Sequence, residues 1–163
     1  MKKYEAMVLS CIDPRFQPKV FNYLKKRKLT GKYSSFTIAG AAIGVTSKKF
    51  KKWQSTFLDN LSTSIKLHNI SKLIVINHED CGAAKIVNGK KYFNSVIEKK
   101  IHKDSFKKIK LILNKRYCIS NNICIYFSSF DCSNYFIYLT KSYSRNISYF
   151  RKIIINDLRS LTR

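Results

Sequence analysis

Apolar residues along the first eighty positions follow two alternating rhythms. Short dense runs at 4–10 (Tyr-Glu-Ala-Met-Val-Leu-Ser), 33–39 and 72–77 (Lys-Leu-Ile-Val-Ile-Asn) read as buried strands. Between them the apolar positions recur every three or four residues: Phe16, Val20, Phe21 and Leu24, then Phe50, Trp53, Phe57, Leu61, Ile65 and Leu67. That spacing predicts helices over about 13–28 and 47–68. Asp13 before Pro14 predicts an N-cap with proline at the first helical position. A long basic helix is expected over about 93–117, with Val96, Ile97, Ile101, Ile109 and Ile112 inward. Strands at 123–128 and 134–140 follow, and the tight turn between them makes that pair antiparallel. A closing helix is expected over 142–161.

Strands alternating with crossover helices predict an α/β fold. Its mainly parallel central sheet would hold four parallel strands plus a fifth antiparallel edge strand, with helices on both faces. The chain, residues 1–163, is expected to form one such domain. Ligands of these sheets bind beyond the carboxyl ends of the strands. Three ends are distinctive here. Cys11 closes the first strand, the small-residue segment Gly40-Ala41-Ala42-Ile43-Gly44 follows the second, and His78-Glu79-Asp80-Cys81-Gly82 follows the third.

Cys11, His78 and Cys81 together make a Cys2His set with one coordination position left over. Zinc suits thiolates plus imidazole, and three protein ligands with a free fourth position mark a catalytic site. Asp13 and Arg15 lie two and four residues past Cys11, close enough to form an ion pair beside the metal. A carboxylate held ionised by a guanidinium can accept a hydrogen bond and orient a nucleophile. Singly, each residue has a plainer role: a buried thiol, an N-cap, a solvated arginine. Glu79 and Asp80 are expected to cap the turn that follows. His68 and His102 are proton-shuttle candidates by residue type alone, and both are expected on helix surfaces.

Composition narrows the partners. The 45% apolar content argues against a disordered chain. No apolar run approaches the roughly 18–20 residues that span a bilayer. The basic-then-apolar start is too short, and interrupted by Glu5, to read as a signal peptide, so a strand is expected. Five cysteines (11, 81, 118, 124 and 132) without framework spacing favour reduced thiols, and the expected location is the cytoplasm. A net charge of +23 invites a nucleic-acid reading. However, 25 Lys stand against 7 Arg, beside 20 Ile and 12 Asn, a bias that AT-rich codons produce without selection for phosphate clamping. Attraction to nucleic acid is expected to be incidental.

Cys11-Ile12-Asp13-Pro14-Arg15 resembles the Cys-x-Asp-x-Arg motif of β-class carbonic anhydrases, and His78-Glu79-Asp80-Cys81-Gly82 resembles their His-x-x-Cys-Gly motif. The likeness covers about residues 4–90 and, further on, the strand–hairpin pattern at 123–140; the short terminal parts resemble the compact subtype. It implies one Zn2+ per chain on Cys11, His78 and Cys81, with Asp13 and Arg15 as the catalytic dyad. It also implies zinc-hydroxide attack on carbon dioxide to give bicarbonate, and a homodimer or dimer of dimers. In some members the aspartate instead replaces water on the metal. Many members carry Arg-Asn before the Ala-Gly of the second strand, where this chain has Thr37-Ile38. Two other readings stay open. One is hydrolysis of carbon disulfide or carbonyl sulfide on the same site. The other is a non-catalytic basic zinc-containing binding protein.

Overall fold

The computed structural model describes residues 4–89, 92–117, 124–130 and 135–136. The elements run β1 (Ala6–Ser10), α1 (Gln17–Lys26), β2 (Tyr33–Thr37), α2 (Ala42–Thr46), α3 (Lys51–His68), β3 (Lys72–His78), α4 (Gly82–Asn88), α5 (Ser95–Tyr117), β4 (Cys124–Phe130) and β5 (Tyr135–Phe136). The sheet order is β2-β1-β3-β4-β5. β1 runs parallel to β2 and β3, β3 runs parallel to β4, and the two-residue β5 pairs antiparallel with β4.

The dense apolar runs become the two central strands because successive side chains point to opposite faces, and here both faces are covered. Met7, Leu9, Leu73 and Val75 pack with Phe57 and Leu61 of α3 and Ile109 and Leu113 of α5. Ala6, Val8, Ile74 and Ile76 pack on the other face with Phe16 and with Val20 and Leu24 of α1. Each large buried side chain is worth about 1.5–3 kcal/mol. A one-residue slip would exchange the two faces, so the register is strongly specified. With Leu9 opposite Val75, the chain leaves β1 at Cys11 beside the end of β3.

The structure departs from the sequence pattern in places that matter for the site. Helix α1 begins at Gln17, and Asp13 is not its N-cap. The Asp13 carboxylate instead accepts the Arg15 backbone N–H at 3.0 Å and closes a turn of its own. Phe21, Leu67 and Val96 were expected inward and are exposed. The buried stripe of α5 runs through Glu98, His102, Ser105, Ile109 and Leu113, so its site-proximal half is polar. Helices α2 and α4, five and seven residues long, are too short for periodicity to reveal. The expected helix at 142–161, the outer part of the last strand at 137–140, and Cys118 and Cys132 lie outside the described residues. Among the described residues, no helix is long and apolar enough to cross a membrane.

Candidate metal centre

Three strand ends converge. Ser10 pairs with Thr37, and the Ile38 N–H donates to Ser10 O at 3.0 Å, which carries the 39–41 turn over the end of β1. That turn bends through left-handed backbone at Gly40 (φ +73°) and Ala41 (φ +45°). The Gly40 N–H thereby points at Cys11 and donates to its Sγ at 3.2 Å. A Cβ on Gly40 would stand 2.6 Å from the Ala83 Cβ, so both the angle and the approach of α4 require glycine.

Cys11, His78 and Cys81 are all buried, and their ligand atoms lie within 4.8 Å of one another. Phe16 stacks on the imidazole of His78 with ring centroids 4.0 Å apart. His78 Nδ1–H donates to the Glu79 carbonyl at 2.7 Å, which leaves the Nε2 lone pair free. Nε2 is buried and has no hydrogen-bond partner among the described residues. A buried ring nitrogen of this kind is costly unless something binds it. Two soft sulfurs stand beside it. The donor set therefore fits zinc, and these three residues could hold the ion.

The protonation of the sulfurs points the same way. The neighbouring Cys81 thiol does most to pull the Cys11 thiol below its usual range, against burial, with help from His78 and the Asp13 and Gly40 amides. Cys81 moves up in turn, through its hydrogen bond to Cys11 and through its own burial. Burial works against a charged His78, but the nearby Cys11 sulfur and the Glu79 carbonyl prevail and raise it. Thiolate is the metal-binding form, and a cation seated here would displace the protons these groups share.

Asp13 and Arg15 meet as their spacing suggested. Arg15 Nε reaches the two Asp13 oxygens at 3.0 and 3.2 Å, and Nη2 reaches Oδ2 at 2.6 Å. Asp13 Oδ2 stands 4.0 Å from His78 Nε2. The Arg15 contacts, foremost, hold the Asp13 carboxyl below the usual carboxylate range. Arg15 also donates to Asp80, through Nη1 to Oδ2 at 2.8 Å and Nη2 to the carbonyl at 3.1 Å. Asp80, expected as a cap, instead adopts φ +54° and ties the third strand end to the first. Arg15 and then Lys85 hold its carboxyl down to about 2. Glu79 pairs with Lys99 at 3.3 Å rather than capping.

Sequence reasoning missed a buried polar row behind the cysteines. Asn77 Oδ1 accepts the Ala42 N–H at 3.2 Å, and its Nδ2 donates to His102 Nδ1 at 2.9 Å. His102 Nε2 faces Glu98 Oε1 at 3.6 Å, and that oxygen accepts the Cys81 N–H at 2.7 Å. His102 is thus buried, not on a surface. His68 packs edge-to-face on Tyr4, at the amino end of β1 and away from the site. Ile38 packs into the core and the Thr37 hydroxyl meets Ser35, so neither supplies a polar group to the centre.

A profile for the family described as "Putative carbonic anhydrase" matches residues 1–122. The chain belongs to this carbonic anhydrase family. Curated relatives include an uncharacterised protein of Rickettsia conorii, 25% identical over 95 residues, or 58% of this chain and 51% of that one. Another, from Rickettsia bellii, is 22% identical over 118 residues and 72% of each chain. The chain thus spans about half the length of the Rickettsia conorii relative. Among solved structures, a tetrameric β-carbonic anhydrase of Sordaria macrospora aligns with a TM-score of 0.57 at 10% identity, covering 88% of this chain and 84% of that one. The Coccomyxa β-carbonic anhydrase aligns at 0.53 and 14% identity, covering 86% and 74%. At such identities the likeness is one of fold: a parallel sheet flanked by helices, shared by this family member and the β-carbonic anhydrases.

Proposed function

We propose that this carbonic anhydrase family member hydrates carbon dioxide reversibly to bicarbonate, with one zinc ion on Cys11, His78 and Cys81 and with Asp13 and Arg15 as its catalytic dyad. The observation that carries this reading is the buried His78 Nε2, without a hydrogen-bond partner among the described residues, beside two cysteines and with an Arg15-paired carboxylate 4.0 Å away. Zinc, when bound there, lowers the pKa of a water ligand from 15.7 towards about 7 and so supplies a nucleophile at neutral pH.

The chain's own residues do the rest. Asp13, kept ionised by Arg15, can only accept hydrogen bonds, so it would accept one from the attacking hydroxide and turn the oxygen lone pair towards the substrate, while the proton released from the water leaves to buffer. Its close pairing with Arg15 supports water, rather than Asp13, at the fourth position. Asp80 braces the far side of the guanidinium. Ile43, Ala83 and Ala84, with Val87 and Ile101 against them, form an apolar wall beside the cysteines. Such a wall suits a small apolar substrate better than its charged product. The reading carries with it a cytoplasmic protein acting as a homodimer or dimer of dimers, an arrangement the tetrameric Sordaria macrospora structure is consistent with.

Stopped-flow carbon dioxide hydration on purified protein of measured zinc content tests the proposal. Wild type should hydrate carbon dioxide rapidly near one zinc per chain, and Asp13→Asn should keep the metal and lose about 10²–10⁴ of the rate. Stoichiometric zinc without hydration between about pH 7 and 9, where a zinc-bound water ionises, would overturn it. Consumption of carbonyl sulfide or carbon disulfide by that same inactive protein would reassign the substrate.

A further inference from the structure

Cys81 is the N-cap residue of α4, yet its side chain makes no cap hydrogen bond, and the residues after it are Gly82, Ala83 and Ala84. In a capping box the third helical residue is Glu or Gln and reaches back to the N-cap amide. Ala84 cannot do this. The carboxylate arrives instead from α5, seventeen residues later, where Glu98 Oε1 accepts the Cys81 N–H at 2.7 Å.

Glu98 is 5% exposed and is the only buried carboxylate among the described residues. Burying a carboxylate is costly unless it is hydrogen-bonded and paired. His102, one turn along α5, faces it at 3.6 Å, and the other ring nitrogen of His102 takes the Asn77 amide at 2.9 Å. Asn77 immediately precedes His78 and also binds the Ala42 N–H. The row thus runs behind two of the three candidate ligands and ends on the backbone of one. Asp80, just before Cys81, holds a left-handed conformation at φ +54°, which residues other than glycine adopt uncommonly. The bond from Glu98 pins the peptide that this residue would otherwise let turn, and the Cys81 sulfur turns with it.

We infer that Glu98, faced by His102, is a positioning residue that sets the Cys81 sulfur for metal binding. The inference rests on the metal-site reading above. It is a claim about reach rather than charge, so two conservative variants separate the possibilities. Glu98→Gln keeps an acceptor at the same distance without the charge. Glu98→Asp keeps the charge but withdraws it by one methylene. Glu98→Ala removes both.

The test titrates metal-free, reduced wild type and the three variants with Co2+. Affinity is read by chelator competition, and geometry by the thiolate-to-cobalt charge-transfer and d–d bands. Wild type and Glu98→Gln should bind alike with the same spectrum. Glu98→Asp and Glu98→Ala should bind about 10–100-fold more weakly with shifted bands. Should Glu98→Ala not fold, as judged by circular dichroism, the Gln and Asp variants decide. An affinity and spectrum unchanged in Glu98→Asp or Glu98→Ala would overturn the inference, as would an Asp variant that binds better than the Gln variant. A wild type without a thiolate-to-cobalt band would overturn the metal reading and this inference together. A wild type that binds, with variants to match, would overturn this inference alone.

Discussion

Gly40→Ala probes whether the three strand ends are packed as tightly as the geometry says. The added Cβ would lie 2.6 Å from the Ala83 Cβ and 3.3 Å from the Ile43 Cβ, at a backbone φ of +73°. Left-handed backbone costs an L-residue about 1–2 kcal/mol. Overpacking in a closed core adds about 1–3 kcal/mol. The sum, about 2–5 kcal/mol, corresponds to a Tm loss of about 4–20 °C in a chain of this length. Because the Gly40 N–H also contacts Cys11 Sγ, zinc content should fall along with stability. Urea unfolding of Gly40→Ala, Ala83→Gly and the double variant separates the two costs. Removing the Ala83 methyl relieves the clash but not the φ, so the double variant should recover about 1–3 kcal/mol over additivity. A Gly40→Ala protein within about 0.5 kcal/mol of wild type, as for an unremarkable surface change, would refute the reasoning. Strict additivity in the double variant would refute its steric half.

Other consequences concern the charged groups. Asp80→Ala should cut carbon dioxide hydration while changing stability by less than about 1 kcal/mol, since the Arg15–Asp80 pair is half exposed and worth little to folding; a stability loss with hydration intact would invert its assigned role. For Glu98, burial works to raise the carboxyl, but His102 and the Cys81 and Asp80 amides prevail and hold it below its ordinary 4.5. On acidification the unfolded chain therefore takes up that proton first. The stability Glu98 contributes is complete above the ordinary value and is lost as pH falls through the lower folded one. Urea unfolding of Glu98→Gln between about pH 3 and 6, the window below and around the ordinary carboxylate value, should accordingly show a shallower acid loss than wild type. Parallel curves would contradict the shift.

What could be read from the sequence follows from what made the sheet. The apolar runs read at 4–10 and 72–77 form the strands Ala6–Ser10 and Lys72–His78, and those same runs deliver Cys11 and His78 to adjacent ends, so the candidate donor set was visible without coordinates. Asp13 and Arg15 were visible because they are local, two residues apart. Asp80 was not. Its contact with Arg15 spans 65 residues and depends on a left-handed angle that nothing in Glu79-Asp80-Cys81 announces. Glu98 and His102 were hidden more thoroughly. They sit in a helix crowded with lysines, where apolar Val96 looks inward and is 71% exposed, while the true buried stripe begins with a carboxylate. Periodicity finds apolar faces, and here the face turned to the site is polar. Helices α2 and α4 form because the converging strand ends pack them; their own composition gives too few turns to show a period.

The central claim is a zinc centre of two sulfurs, one imidazole and one position free of protein, and zinc-edge X-ray absorption on the purified protein measures it directly. The account predicts two Zn–S distances near about 2.3 Å and two lighter N or O ligands near about 2.0–2.1 Å, with Cys81→Ser reducing the sulfur count by one. A shell of three or four sulfurs, or zinc without sulfur, would contradict it.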